Sequence, residues 1–231
     1  MVTDFSYIDE NYRRISFEVS EAMAKYRRSD EKVDIMAVTK TVEPAAVNHA
    51  AELGIKLLGE NRVQEYCSKK EFYSKDTEVQ FIGHLQTNKV KYIIDSVSVI
   101  QSVDSIKLAN EINRQAAKIG KVQKCLVEVN IGNEESKGGI DKACLKDLLY
   151  ETAEMENIKV CGLMAIPPIM GAEKYLCDMQ QLFADISAEK IENISMEVLS
   201  MGMSGDYVQA IKYGSTLIRI GRGLFGPRNY G

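Results

Sequence analysis

Apolar positions along the chain fall into short runs separated by amphipathic stretches, and the two patterns alternate from one end to the other. Runs of four to seven mostly apolar residues lie at 35–38, 56–59, 79–83, 97–101, 125–130, 160–166, 197–201 and 217–221. They predict eight strands. Such runs are apolar on both faces, the mark of a parallel sheet covered by helices on its outside. The stretches between them carry helix punctuation. An amphipathic helix is predicted over roughly residues 6 to 28, Pro44 starts a second helix with Gly54 past its end, and Asp104 precedes Leu108, Ile112, Ala116 and Ile119 with Gly120 closing a third.

Eight strand–helix units in 231 residues leave no room for a second domain. A single (β/α)8 TIM barrel typically takes about 250 residues. The fold class predicted is therefore α/β: one barrel domain over residues 1–231, with residues 1–30 as an N-terminal helical extension. A doubly wound open sheet is the alternative. No repeat, low-complexity tract or Pro/Gly-rich linker interrupts the pattern. The net charge of -4 comes without a basic stripe, which argues against nucleic acid or an anionic membrane as partner and favours a small soluble ligand. The N-terminus has no basic stretch followed by an apolar run, and no apolar run reaches the ~18 residues of a membrane span, so a cytoplasmic protein is expected. Cys67, Cys125, Cys144, Cys161 and Cys177 are odd in number, widely spaced and accompanied by only two histidines. They read as reduced core thiols, with no metal site expected.

In such a barrel chemistry sits at the C-terminal strand ends, with phosphate commonly held by the loops after the seventh and eighth strands. The seventh run continues as Leu199-Ser-Met-Gly-Met-Ser-Gly-Asp206, where Ser204 resembles an N-cap ahead of a helix. The eighth ends in Gly221-Arg222-Gly223, where missing β-carbons let backbone approach an anion. Alternation along the eighth strand puts Leu217, Arg219 and Gly221 inside and Ile218 and Ile220 outside. Arg219 is then either half of a salt bridge within the barrel or a donor aimed at a ligand's ring nitrogen. The same parity puts Met36, Val38 and Lys40 on the inner face of the first strand. Lys40 is either a snorkelling surface lysine or an amine tuned to attack a carbonyl. His84 either orients a ligand or is structural; His49, inside a helix, reads as structural. The loop 132–139 is a lid or an ordinary solvated loop, and Lys137 within it is a second candidate amine. Glu60 and Glu65 can be weighed as an acid–base pair, and 151–157 as a solvated helix end.

Seven ordered motifs carry a resemblance: Val38-Thr-Lys40, Gly59-Glu-Asn-Arg-Val-Gln-Glu65, Phe81-Ile-Gly-His-Leu-Gln-Thr-Asn-Lys89, Glu135-Ser-Lys-Gly-Gly139, Gly162-Leu-Met-Ala-Ile-Pro167, Leu199-Ser-Met-Gly-Met-Ser204, and Ile218-Arg-Ile-Gly221 followed by Phe225-Gly226. From about residue 35 onward the chain resembles the pyridoxal phosphate homeostasis protein family. That resemblance implies a barrel like the N-terminal domain of alanine racemase, binding pyridoxal 5'-phosphate. Lys40 would hold the cofactor as a Schiff base and Arg219 would face its pyridine nitrogen. Ser200, Ser204, Gly221 and the backbone N–H of Arg222 would hold its phosphate, while Asn61 and Met164 would line its ring. Arg222 departs from the family, which often has threonine or serine there. The resemblance further implies a role in vitamin B6 and amino/keto-acid homeostasis without robust turnover, apo-enzymes as possible recipients of the cofactor, and no firmly assigned catalytic residue. A monomer is expected. The alternative is a slow amino-acid racemase or another pyridoxal phosphate-dependent enzyme, with Lys40 as one base and His84 or Tyr207 as its partner. A third reading is a cofactor-free aldolase or isomerase acting on sugar phosphates.

Overall fold

The computed structural model describes residues 4–134 and 137–227. The eight strands are β1 (Asp34–Val38), β2 (Leu57–Glu60), β3 (Glu78–Phe81), β4 (Val99–Val103), β5 (Gln123–Glu128), β6 (Ile158–Met164), β7 (Ile194–Met203) and β8 (Leu217–Ile220). They pair in sequence order, all parallel, and β8 pairs with β1 to close a barrel. That closure removes the open-sheet alternative. Strand ends fall within two residues of those predicted, apart from β7, which starts three residues earlier, at Ile194.

The helices are α1 (Ser6–Tyr26), α2 (Pro44–Glu52), α3 (Val63–Lys69), α4 (Ile106–Lys118), α5 (Leu145–Ala153), α6 (Ala172–Glu189), α7 (Tyr207–Lys212) and α8 (Arg222–Phe225). The crossover from β3 to β4 departs from the expectation of a helix between every pair of strands. It contains a short 3-10 helix, Thr87–Tyr92. Elsewhere the sequence signals work as read. Pro44 opens α2, and Gly54 turns the chain beyond it at φ +113°. In α4 the cap is Ser105, whose hydroxyl accepts from the Leu108 N–H at 3.4 Å, while Leu108, Ile112 and Ala116 recur one turn apart on the buried face.

Two kinds of apolar packing follow from strand alternation. Ala37, Leu58, Ile218 and Ile220 belong to the large core between strands and outer helices. Met36, Val38, Ile82 and Leu217 form a separate cluster inside the barrel, as do Leu126, Cys161 and Met164. Helix α1 buries Ile8, Ile15, Val19 and Ala22 outside the β8–β1 closure. It also reaches α8, where Asn11 Nδ2 donates to the Leu224 carbonyl at 3.0 Å and Arg14 Nη2 to that of Gly223 at 3.1 Å. The cysteines are not uniformly core thiols. Cys125 and Cys161 are buried and Cys67, Cys144 and Cys177 exposed, all as free thiols. Among the described residues no helix is long and apolar enough to cross a membrane. In the motif 135–139, Glu135 and Ser136 lie outside the described residues.

Candidate functional site

A cavity of about 750 Å³ opens at the C-terminal strand ends. Of the residues singled out in the sequence, Lys40, Asn61, Ser204, Arg219, Gly221 and Arg222 line it together. They come from β8 and from the segments that follow β1, β2, β7 and β8, which the barrel closure gathers around one mouth; Lys40 lies two residues beyond the end of β1. Val38 and Ile82 of the inner apolar cluster supply part of its floor.

Ser200 and Met164 are not among the lining residues. Both are fully buried, Met164 against Leu126 and Cys161 inside the barrel. Ser200 sits beneath Arg219, whose Nη1 donates to its Oγ at 2.6 Å while Nη2 donates to the Ala165 carbonyl at 2.8 Å. The structure places the Ser200 hydroxyl on the guanidinium and outside the cavity lining. Arg219 is only 3% exposed, yet among the described residues no carboxylate pairs with it directly. Burial lowers its pKa to about 10, opposed by the fields of Glu128 and Asp206, so at neutral pH it remains a cation.

Below Arg219 runs a hydrogen-bonded row of buried side chains. A guanidinium has no acceptor, so Ser200 Oγ must accept from it and turn its own proton to Gln101 Oε1, 2.7 Å away. Gln101 Nε2 then donates to Gln80 Oε1 at 2.6 Å, and Gln80 Nε2 to the Glu78 carboxylate at 3.1 Å. With a pure donor at one end and a pure acceptor at the other, every amide in the row has one permitted orientation.

The loops after β7 and β8 are tied together at the opposite wall. Ser204 is not the N-cap of α7; Asp206 holds that position, accepting from the Met203 N–H at 2.6 Å. Ser204 Oγ instead accepts from the Gly223 N–H at 3.0 Å. Gly202 must be glycine, because its φ is +94° and a Cβ there would lie 2.5 Å from that of Ala210. At Gly205, also on the cavity wall, the space a Cβ would occupy is open. Across the mouth, Asn61 Oδ1 is buried without a hydrogen-bond partner. An orphaned buried acceptor of this kind is a standing demand for a donor.

Other candidates fall elsewhere. Tyr207 donates to Glu18 of α1 on the outside of the barrel, and burial together with that bond pushes its hydroxyl up to about 12. His84 is exposed, with Nδ1 3.6 Å from Asp104 Oδ2, and does not line the cavity. His49 is structural, bonding Asp9 at 2.8 Å between α2 and α1. Lys137 is exposed and outside the lining. Glu60 and Glu65 lie on the outer side of β2 and on α3, away from the cavity. One residue went unread: Glu128, at the inner end of β5, where burial raises its carboxyl to about 7 against the opposing field of Arg219. Its signal was parity, two residues beyond inward-facing Leu126.

The cavity thus combines an amine, a cation that only donates, an amide oxygen awaiting a donor, and a hydroxyl beside glycine-lined backbone. That equipment suits a small anionic molecule with an electrophilic carbon. Comparison with known proteins bears on its identity. Residues 11–229 match the family model for the alanine racemase N-terminal domain. A protein of Aquifex aeolicus named pyridoxal phosphate homeostasis protein is 40% identical over 226 residues, covering 96% of this chain and 98% of its own. A solved structure of an unknown protein from Bifidobacterium adolescentis superposes with a TM-score of 0.92 at 29% identity, over 97% of this chain and 98% of that one. PipY of Synechococcus elongatus, solved with pyridoxal phosphate bound, gives a TM-score of 0.77 at 28% identity, over 92% of this chain and 100% of that one.

Proposed function

We propose, from the premise that this chain belongs to the pyridoxal phosphate homeostasis protein family, that it binds pyridoxal 5'-phosphate and holds it as a Schiff base on Lys40. The observation that carries this reading is the convergence of Lys40, Arg219 and the unpartnered Asn61 Oδ1 on one cavity. The residues present fit the group: Asn61 offers its acceptor to a hydroxyl, and the open space at Gly205, beside Ser204, leaves room for a phosphate. When bound, the cofactor supplies an aldehyde for exchange between amines and a ring able to take up electrons. The chain's own groups restrain the second property. Arg219 has no acceptor for a proton on the ring nitrogen, so facing that nitrogen it keeps it unprotonated and weakens the ring as an electron sink.

Ser204, Gly221 and the backbone N–H of Arg222 take the phosphate side, with the Arg222 cation at the mouth replacing the hydroxyl common in the family. Ser200 acts from beneath, by fixing Arg219. Racemisation would need a second base opposite Lys40, and neither His84 nor Tyr207 lines the cavity. The reading is therefore a carrier or homeostatic protein rather than an enzyme with robust turnover. It works as a cytoplasmic monomer that surrenders the cofactor to other amines, apo-enzymes among them. The test is an absorbance titration with pyridoxal phosphate, followed by borohydride reduction and peptide mass spectrometry. A visible band and a reduced adduct on the Lys40 peptide, both absent in Lys40→Ala, are expected. An adduct confined to Lys137 or another lysine overturns the assignment.

A further inference from the structure

The segment that carries Lys40 is fastened from behind by a helix that contributes nothing to the cavity lining. Thr41, next in the chain, has φ +62°, a left-handed conformation that is an outlier for a β-branched residue and needs outside support. Its N–H donates to Glu65 Oε1 of α3 at 2.5 Å. Lys69, one turn further along α3, bonds the same Glu65 oxygen, and its Nζ also donates to the Thr39 carbonyl at 3.4 Å. Both neighbours of Lys40 are thus held by one pair of side chains that are themselves only 17% and 15% exposed. Thr39 is anchored a second time, its hydroxyl donating at 2.7 Å to Glu60, a fully buried carboxylate that also accepts from Tyr73. Burial alone would raise Glu65, but hydrogen bonds from Lys69 and the Thr41 N–H outweigh it and hold the carboxyl below its ordinary range.

We propose that Glu65, acting with Lys69, is the positioning residue for Lys40: it pins the peptide groups on either side and so fixes the direction in which the Lys40 side chain enters the cavity. The inference rests on Lys40 being the cofactor-binding amine. An ion pair one turn apart on a helix would ordinarily stabilise only that helix. Here its carboxylate is shared with a backbone N–H of another segment, in a conformation that segment would not adopt unaided. Without Glu65, Thr41 is free to relax to negative φ, turning the Lys40 Cα–Cβ bond away and losing the orientation that condensation of amine and aldehyde requires.

The test is the affinity for pyridoxal phosphate, read by visible absorbance, in wild type, Glu65→Ala, Glu65→Gln and Lys69→Met, with the adduct located by borohydride trapping and the melting of ligand-free protein followed in parallel. Loss of a charge-assisted hydrogen bond predicts affinity about tenfold to hundredfold weaker in Glu65→Ala. Glu65→Gln keeps an acceptor for the Thr41 N–H and should recover most of the loss, an order that a merely structural role would not produce at matched stability. Wild-type affinity in a folded Glu65→Ala overturns the proposal. Where Glu65→Ala fails to fold, unchanged affinity in Lys69→Met, which removes the bonds to Glu65 and to the Thr39 carbonyl, overturns it instead. A wild-type adduct away from Lys40 removes the underlying reading, whereas an adduct on Lys40 that is indifferent to Glu65 removes this inference alone.

Discussion

Arg219 on β8 and Lys40, just past the end of the neighbouring β1, line the same cavity, yet the barrel holds them in opposite ways. Arg219 is held by its side chain, from inside, through Ser200 and the row of amides beneath it. Lys40 is held by its backbone, from outside, through Thr39 and Thr41. The difference matches what each group has to do. A cation that only donates works best immobile, because preorganised donors need no rearrangement when charge shifts nearby. The amine proposed to hold a carbonyl carbon needs its point of attachment fixed.

The sharpest way to break the comparison is to remove each cation in turn and measure urea unfolding of the ligand-free protein. Arg219→Met strands the Ser200 hydroxyl and Ala165 carbonyl, with an expected loss of about 2–4 kcal/mol. Lys40→Met leaves the bonds of Thr39 and Thr41 in place and alters a less buried position, so a smaller loss than that of Arg219→Met is expected. Equal losses would mean that the two are held alike. A smaller effect comes from Glu128. Its folded pKa of about 7 lies above the ordinary carboxyl value, so the folded state binds more protons between roughly pH 4.5 and 7. Its contribution is complete below that window and is lost as pH rises through it, so Glu128→Gln should flatten a decline in stability between those limits. Because Arg219 restrains this rise, Arg219→Met should carry the window to higher pH. Smallest is Thr41→Gly: relief of left-handed strain and the added freedom of the unfolded chain nearly offset, leaving a change within about 0.5 kcal/mol in the same unfolding assay.

Period and parity carried much of this into the sequence. Eight runs gave eight strands, and alternation in β8 set Arg219 inside and Ile218 and Ile220 outside. Alternation names a face but not a depth. Ser200 lies three residues short of the end of β7, fully buried and outside the cavity lining. The bulges between β5 and β6 and between β6 and β7 shift register in ways that no local pattern announces. For Glu60, two residues beyond outward-facing Leu58, parity already agrees with the outer face on which the fold places it. The grip of α3 on Lys40 joins residues more than twenty positions apart and leaves no periodic trace.

The closure of β8 onto β1 also sets a clock. Lys40 directly follows the first strand made and Arg219 lies on the last, and α1, made before either, fastens α8, which follows β8. Such distant pairings form late, because a long loop must be closed before any contact rewards it. During synthesis the two cations cannot face one another until β8 has left the ribosome. A cavity lined by both therefore exists only once the whole barrel has been built, and a nascent or truncated chain ending before β8 carries Lys40 without the wall that faces it.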